Sequence, residues 1–224
     1  MSSLLKETFN TRDLGWHQRN SGGLTVPNRI WRSDYIPYLS EDDRQTLLRN
    51  GITNIIDLRA DGRKQYPEGL KSDERFNCIS LPLHTKDISV AHIDKTAQTY
   101  YRMAVSSDMK RILKTIANLD GGVLFHCMAG KDRTGVVAAV VLLLCEVTKL
   151  DVVDDYAASL SAMLPIVETY YNEPLNHYVM PTGDIMVEFL DIFFRMNKNI
   201  GGYISNIGLL DGEVYSIRRK LCSW

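Results

Sequence analysis

The sequence has almost no excess of charge of either sign: 26 Lys and Arg face 27 Asp and Glu, and the formal net charge is −1. That excludes a whole-molecule field for gathering nucleic acid or an anionic membrane, so any anion site has to be local. Long apolar runs are also missing. The most apolar stretch, Val136 to Cys145, is followed at once by Glu146. It is too short to span a bilayer and fits a buried helix. The N-terminal MSSLLKETFNTRDLGW lacks the apolar core and small-residue cleavage site of a Sec-type signal. No lipidation signal stands at either end. Cytoplasm is therefore the default expectation, with a non-Sec export route left open.

Cysteine is scarce, with four residues at 78, 127, 145 and 222. Their spacing is irregular, no C-x-x-C occurs, and a chain of this length needs no covalent staples. Four thiols in a reducing compartment are expected, three of them inert packing residues. Linkers, repeats and low-complexity tracts are absent. One domain over 1–224 is expected, with 1–8 as an N-terminal tail. No His, Cys and carboxylate cluster has metal-ligand spacing, and no cofactor is expected.

What is present is an alternation of strand and helix patterns. Arg29–Ser33 reads as a strand after the Gly22-Gly23 turn. Ser40 caps a helix running to Arg49, with Asp43 as the acidic partner three residues on, and Gly51 ends it. Ile52–Leu58 is β-branched and reads as a buried strand; Phe76–Leu81 is the next. A loop from Pro82 to Asp87 precedes one helical stretch, Ile88 to Asn118. Gly121-Gly122 opens a short strand, Val123–Phe125, and helices fill the rest, broken near Pro165, Pro174 and Pro181. The expected fold is α/β, with a mostly parallel central sheet flanked by helices. In such folds ligands bind beyond the carboxyl ends of the strands.

The segment at that position is His126-Cys127-Met128-Ala129-Gly130-Lys131-Asp132-Arg133-Thr134-Gly135. A strand, a tight loop and a helix N-terminus point backbone N–H groups inward and add the positive end of the helix. This arrangement holds an anion and favours thiolate over thiol at Cys127, making it a nucleophile. Arg133 offers a planar fork for two phosphate oxygens. Thr134 is placed to donate a hydroxyl hydrogen bond to the sulfur. His126 reads as a structural residue that shapes the loop. Gly130-Lys131 is not a Walker A loop, because positions 125 and 132 hold Phe125 and Asp132.

Cys127-x5-Arg133-Thr134, preceded by His126, is similar to the signature loop of the protein tyrosine phosphatase superfamily. The whole string HCMAGKDRTG resembles the bacterial tyrosine/lipid phosphatases that share an H-C-x-x-G-K-D-R-T-G loop. Asn10-x-Arg12-Asp13-Leu14-Gly15 resembles their N-terminal motif, and Ile30-x-Arg32-Ser33 and Ile56-Asp57-Leu58-Arg59 resemble their early strands. Position 16 is Trp where a second Gly is expected. The resemblance implies a phosphate monoester hydrolase acting through a phosphocysteine, without a metal. Phosphotyrosine on proteins is the implied substrate, with phosphoinositides and phosphoserine or phosphothreonine open. In similar lipid phosphatases a lysine at the position of Lys131 meets extra inositol phosphates; a solvated helix-start lysine is the even alternative.

The general acid is the least determined group, since no Trp-Pro-Asp string occurs. Asp132, inside the loop as in the similar bacterial enzymes, is the first candidate, against a purely helix-starting carboxylate. Asp87 is the second. Asp57 is the third, and fits better as a partner of an arginine that braces the loop. Binding residues are expected from Met128, Ala129, Gly130, Lys131, Asp132, Arg133 and Thr134. Residues 163–196, with Tyr170, Tyr171, Tyr178, Met180, Met186 and Met196, read as helix packing first and as a lid second. Asp151, Asp154 and Asp155 read as a solvated helix start. Two other classes stay open: a phosphate-binding module without turnover, and an arsenate reductase or sulfurtransferase. An arsenate reductase would want a resolving thiol, and Cys78 suits that better than Cys145.

Overall fold

Short β-branched runs separated by helical segments need both faces of their strands covered, and the chain arranges them that way. The computed structural model describes residues 3–36, 38–60, 70, 72–84, 93–170 and 180–222. Strands β2 (Ile30–Ser33), β3 (Ile52–Asp57), β4 (Asn77–Ser80) and β5 (Gly122–His126) pair in parallel. A two-residue strand, β1 (Arg12–Asp13), adds antiparallel to β2. The order is β1-β2-β5-β3-β4, which puts β5 at the centre. The result is a single α/β domain with a mostly parallel sheet between helices.

Side chains alternate across β5. Val123 and Phe125 belong to the larger core, and Leu124 to the smaller one on the other face. The larger core holds α4 (Asp132–Leu144), whose residues Thr134 to Leu144 are all buried. Each such Val or Leu contributes roughly 1.5–3 kcal/mol of apolar burial. Helices α2 (Ile93–Ala104), α3 (Ser107–Asn118), α5 (Lys149–Tyr170), α6 (Gly183–Asn197), α7 (Ile200–Ile207) and α8 (Asp211–Leu221) surround it. The smaller core packs α1 (Glu41–Arg49) over Trp31, Ile52, Ile55 and Leu124.

Several expected boundaries move. The helical patterning expected from Ile88 to Asn118 is divided between two helices, and residues 88–92 lie outside the described ones. The break falls where the Ser106 hydroxyl accepts the Met109 N–H at 3.1 Å, a side-chain cap that competes with helix continuation. Helix α5 continues through Pro165 instead of breaking there; one lost backbone bond is outweighed by the rest of a long helix. Pro174 lies outside the described residues. Met186 is buried in the core while Met196 is exposed, and Tyr171 and Tyr178 lie outside the described residues. The expected tail is anchored within residues 3–8: Leu5 sits in the smaller core, Thr8 is buried, and the Lys6 N–H donates to Asp43 at 2.8 Å.

Loss of the cap between α2 and α3 has a direct consequence. Ser106→Ala is expected to lower the unfolding free energy by about 1 kcal/mol, read by urea denaturation, with the slope of the transition unchanged.

Candidate active site

Strand β5 ends at His126 and α4 begins at Asp132, so Cys127 opens a tight turn. The turn is tied down from outside through its carbonyls. The Tyr35 N–H donates to the Met128 carbonyl at 2.9 Å. Asn10 Nδ2 donates to the Ala129 carbonyl at 3.1 Å, and Arg32 Nη2 to the Gly130 carbonyl at 2.6 Å. In a trans peptide the N–H points opposite to the C=O. Fixing these three carbonyls therefore turns the N–H groups of Ala129, Gly130 and Lys131 the other way. No described residue accepts from the N–H of Ala129 or Gly130. Gly130 has φ +67, and a Cβ there would lie 2.7 Å from the Asp34 backbone nitrogen, so only glycine fits this close approach.

Beneath the turn lies a buried ion network. Arg12 Nε donates to Asp155 Oδ1 at 2.9 Å, and Arg32 Nη1 donates to Asp155 Oδ2. Arg12 also donates to Ser159 Oγ at 3.0 Å and to Asn10 Oδ1. Burial opposes the Asp155 carboxylate, yet the charges of Arg12 and Arg32 outweigh it and hold its pKa at about 2. Burial and the charge of Arg32 lower Arg12 to about 10. The Arg12, Arg32 and Asp155 set carries a net charge of +1 at neutral pH. Asp34 holds the strap above it by accepting the Asn10 N–H at 2.9 Å and the Phe9 N–H at 3.1 Å. Asp155 is thus a core residue, correcting its reading as a solvated helix start, because two guanidinium groups offset its desolvation. Asp151 accepts the Gln18 N–H at 2.6 Å, and Asp154 is exposed.

A second brace stands on β3. Arg59 grips Asp57 with Nε to Oδ1 at 3.0 Å and Nη2 to Oδ2 at 2.8 Å. The Arg59 guanidinium lies 4.1 Å over the Tyr35 ring, and the Tyr35 backbone holds the loop. Burial raises the Asp57 pKa, but the Arg59 bonds and the neighbouring His126 more than reverse this, and the net shift is downward. Both oxygens are committed, which disfavours Asp57 as an acid. His126 is fully buried, and its Nδ1–H donates to the Cys127 carbonyl at 3.2 Å. Burial depresses its pKa to about 4, so the ring is neutral at pH 7.

Cys127 is 3% exposed and Met128 stands out at 42%. The buried Arg133 Nε has no acceptor among the described residues. Lys131 is buried, not solvated, with its Nζ 3.4 Å from Asp132 Oδ1. Thr134 Oγ1 donates to the Ser33 carbonyl at 3.4 Å. This is the acceptor that the adjacent strand β2 offers the hydroxyl. Asp132 Oδ1 accepts from the Tyr100 hydroxyl at 2.5 Å, and Tyr100 meets the Tyr156 hydroxyl at 2.8 Å. Asp87 lies outside the described residues. Tyr100, Tyr156, Asp34, Tyr35 and Ser159 escaped the sequence reading, since nothing in their local spacing marks them.

All four cysteines are thiols. Cys222 donates to the Cys145 carbonyl at 3.9 Å, and Cys78 to the Leu70 carbonyl at 3.7 Å beside the smaller core. Cys127 belongs to the larger core. Among the described residues no group of three or more His, Cys, Asp or Glu could hold a metal ion. No helix among them is long and apolar enough to cross a membrane.

A thiol at the end of a central parallel strand is thus followed by a turn whose carbonyls are held outward and by an arginine on the next helix. The profile of the tyrosine phosphatase family matches residues 4–223, and the chain belongs to that family. It is 37% identical over 131 residues to a tyrosine-protein phosphatase of Nostoc commune, covering 54% of this chain and 45% of that protein. The chain thus spans less than half the length of this relative. It is 29% identical over 253 residues to the triple specificity protein phosphatase PtpB of Mycobacterium tuberculosis, covering 87% of this chain and 91% of that one. Pseudomonas aeruginosa TpbA, a solved structure, aligns with 74% of this chain and 87% of its own at 17% identity, with a TM-score of 0.36.

Two outcomes follow from the buried charges. Asp155→Asn leaves two buried guanidinium groups facing a neutral amide and is expected to cost about 3–5 kcal/mol of stability by urea denaturation. His126 is harder to protonate folded than unfolded. Its contribution is complete above its ordinary value of 6.5 and is lost as pH falls toward about 4. By linkage this amounts to roughly 3 kcal/mol. His126→Gln is expected to flatten the stability profile across that window.

Proposed function

We propose that the chain hydrolyses phosphate monoesters in two steps through a phosphocysteine on Cys127. The observation that carries this reading is the outward tethering of the Met128, Ala129 and Gly130 carbonyls. It leaves amide donors pre-aimed into the turn, where they need no reorganisation when charge develops on phosphoryl oxygens. In the first step the Cys127 thiolate attacks phosphorus in line with the ester oxygen. The S–P bond forms as the P–O ester bond breaks. The loop amides and the Arg133 guanidinium take the equatorial oxygens, and Asp132 gives its proton to the departing phenol or alcohol. In the second step water attacks phosphorus, the S–P bond breaks, and Asp132 takes a proton from that water.

The substrate we favour is phosphotyrosine on proteins, in keeping with the family. Phosphoinositides are the second reading, favoured by the buried Lys131 within the loop. The name of the mycobacterial relative, a triple specificity phosphatase, supports keeping phosphoserine and phosphothreonine in the comparison. Cys78, the thiol that would suit an arsenate reductase, packs against the smaller core while Cys127 belongs to the larger one, and this weighs against that reading.

The test is phosphate release from a phosphotyrosine peptide, a phosphoserine peptide and phosphatidylinositol phosphate vesicles. Cys127→Ser is expected to abolish turnover on all three. Asp132→Ala is expected to lower kcat about 10²-fold for poor leaving groups and much less for good ones. Lys131→Ala is expected to reduce lipid turnover selectively. Phosphate binding by the wild type without turnover on any substrate would leave only a binding module.

A further inference from the structure

Asp132 is held by a pair of tyrosines that come from two other helices. Tyr100 lies on α2 and Tyr156 on α5, and both are buried. Their rings meet edge to face with centroids 6.0 Å apart, and Phe189 of α6 packs on Tyr100 in the same manner at 6.4 Å. The glycine that closes the loop motif makes room for the pair. A Cβ at Gly135 would lie 2.9 Å from Tyr156 Cδ2.

The hydrogen-bond roles can be assigned. An ionised carboxylate only accepts, so Tyr100 donates its hydroxyl proton to Asp132 Oδ1. The Tyr100 oxygen is then the acceptor for Tyr156. A donating neighbour polarises Tyr100 and strengthens its bond to the carboxylate. Lys131 Nζ also lies on the Oδ1 side. No described residue donates to Oδ2. Burial, with the charge of Asp132, raises the ionisation of Tyr100 well above the ordinary tyrosine value. Both phenols therefore remain donors across the working range of pH.

We infer that the Tyr156–Tyr100 relay is a positioning device: it fixes one oxygen of Asp132 and leaves Oδ2 as the proton-transfer oxygen. The inference rests on the phosphatase reading with Asp132 as the acid. Neither tyrosine touches the reacting atoms. They act by holding the carboxylate in one rotamer for both proton transfers.

The experiment compares Tyr100→Phe, Tyr156→Phe and Phe189→Leu with the wild type on a series of aryl phosphates of graded leaving-group basicity. Removing the Tyr100 hydroxyl frees the carboxylate to leave its proton-transfer rotamer. For poor leaving groups kcat is expected to fall about tenfold with KM little changed, and for good leaving groups to fall much less. Tyr156→Phe should give the same pattern with a smaller loss, since Tyr100 keeps its own bond. Phe189→Leu disturbs the same packing without touching a hydroxyl, and should lower Tm while leaving the leaving-group dependence in place. Equal losses for good and poor leaving groups in Tyr100→Phe, or no loss for either, overturn the relay while the phosphatase reading stands. Absence of wild-type turnover, with inorganic phosphate still bound, overturns both.

Discussion

Two arginines share one carboxylate beneath the anion loop, and the loop's shape depends on that arrangement. Arg32 alone would meet the Gly130 carbonyl with a mobile side chain. Clamped on Asp155 with Arg12 alongside, its guanidinium has one orientation, and the carbonyl follows. Arg12 in turn orders Asn10, whose amide holds the next carbonyl. A buried ion set of this kind adds little net stability compared with apolar packing. Here its contribution is directional. It sets which way three consecutive peptide planes face, and so where the N–H groups point.

The same set supplies electrostatics. Arg12, Arg32 and Asp155 together carry one net positive charge under the loop, where burial leaves it weakly screened, and the Asp34 carboxylate acts on Arg12 from one side. The N-terminus of α4 adds its partial positive charge, and the Arg133 guanidinium adds a full one. His126 does not take part in this sum, because burial keeps it neutral at pH 7; its ring fixes the Cys127 carbonyl. The negative groups nearby are individually occupied: Asp57 by Arg59, Asp34 by two backbone amides, and Asp132 by Tyr100. Asp57 and Asp34 thus direct their oxygens at donors, and Asp132 has one oxygen held.

The parts legible in the sequence were those encoded by local spacing. The run from His126 to Gly135 places strand end, thiol, tight turn and helix start within ten residues, and the apolar stretch behind it could only be a buried helix. The parallel sheet followed from strand and helix alternation. Arg12 and Arg32 were marked by the motifs that contain them, yet their partner was not, because Asp155 lies 143 and 123 residues away along the chain. Beside Asp151 and Asp154 it looked like surface. Tyr100 was illegible for the same reason: a tyrosine on an amphipathic helix shows a core role, and its hydroxyl's target is set by tertiary packing. Helix breaks were misplaced where proline was weighed above a serine cap, as at Pro165 and Ser106.

The brace also bears on how the chain comes together. The ten-residue motif is complete once Gly135 has been made, but the groups that orient its peptides come from residues 10, 12 and 32 before it and from 155 and 159 after it. A nascent chain that ends short of α5 carries the whole signature but lacks Asp155 and Ser159, so Arg12 and Arg32 reach the loop unclamped. The final shape of the turn is therefore a late product of folding, complete only when both flanks of the chain have docked on the sheet.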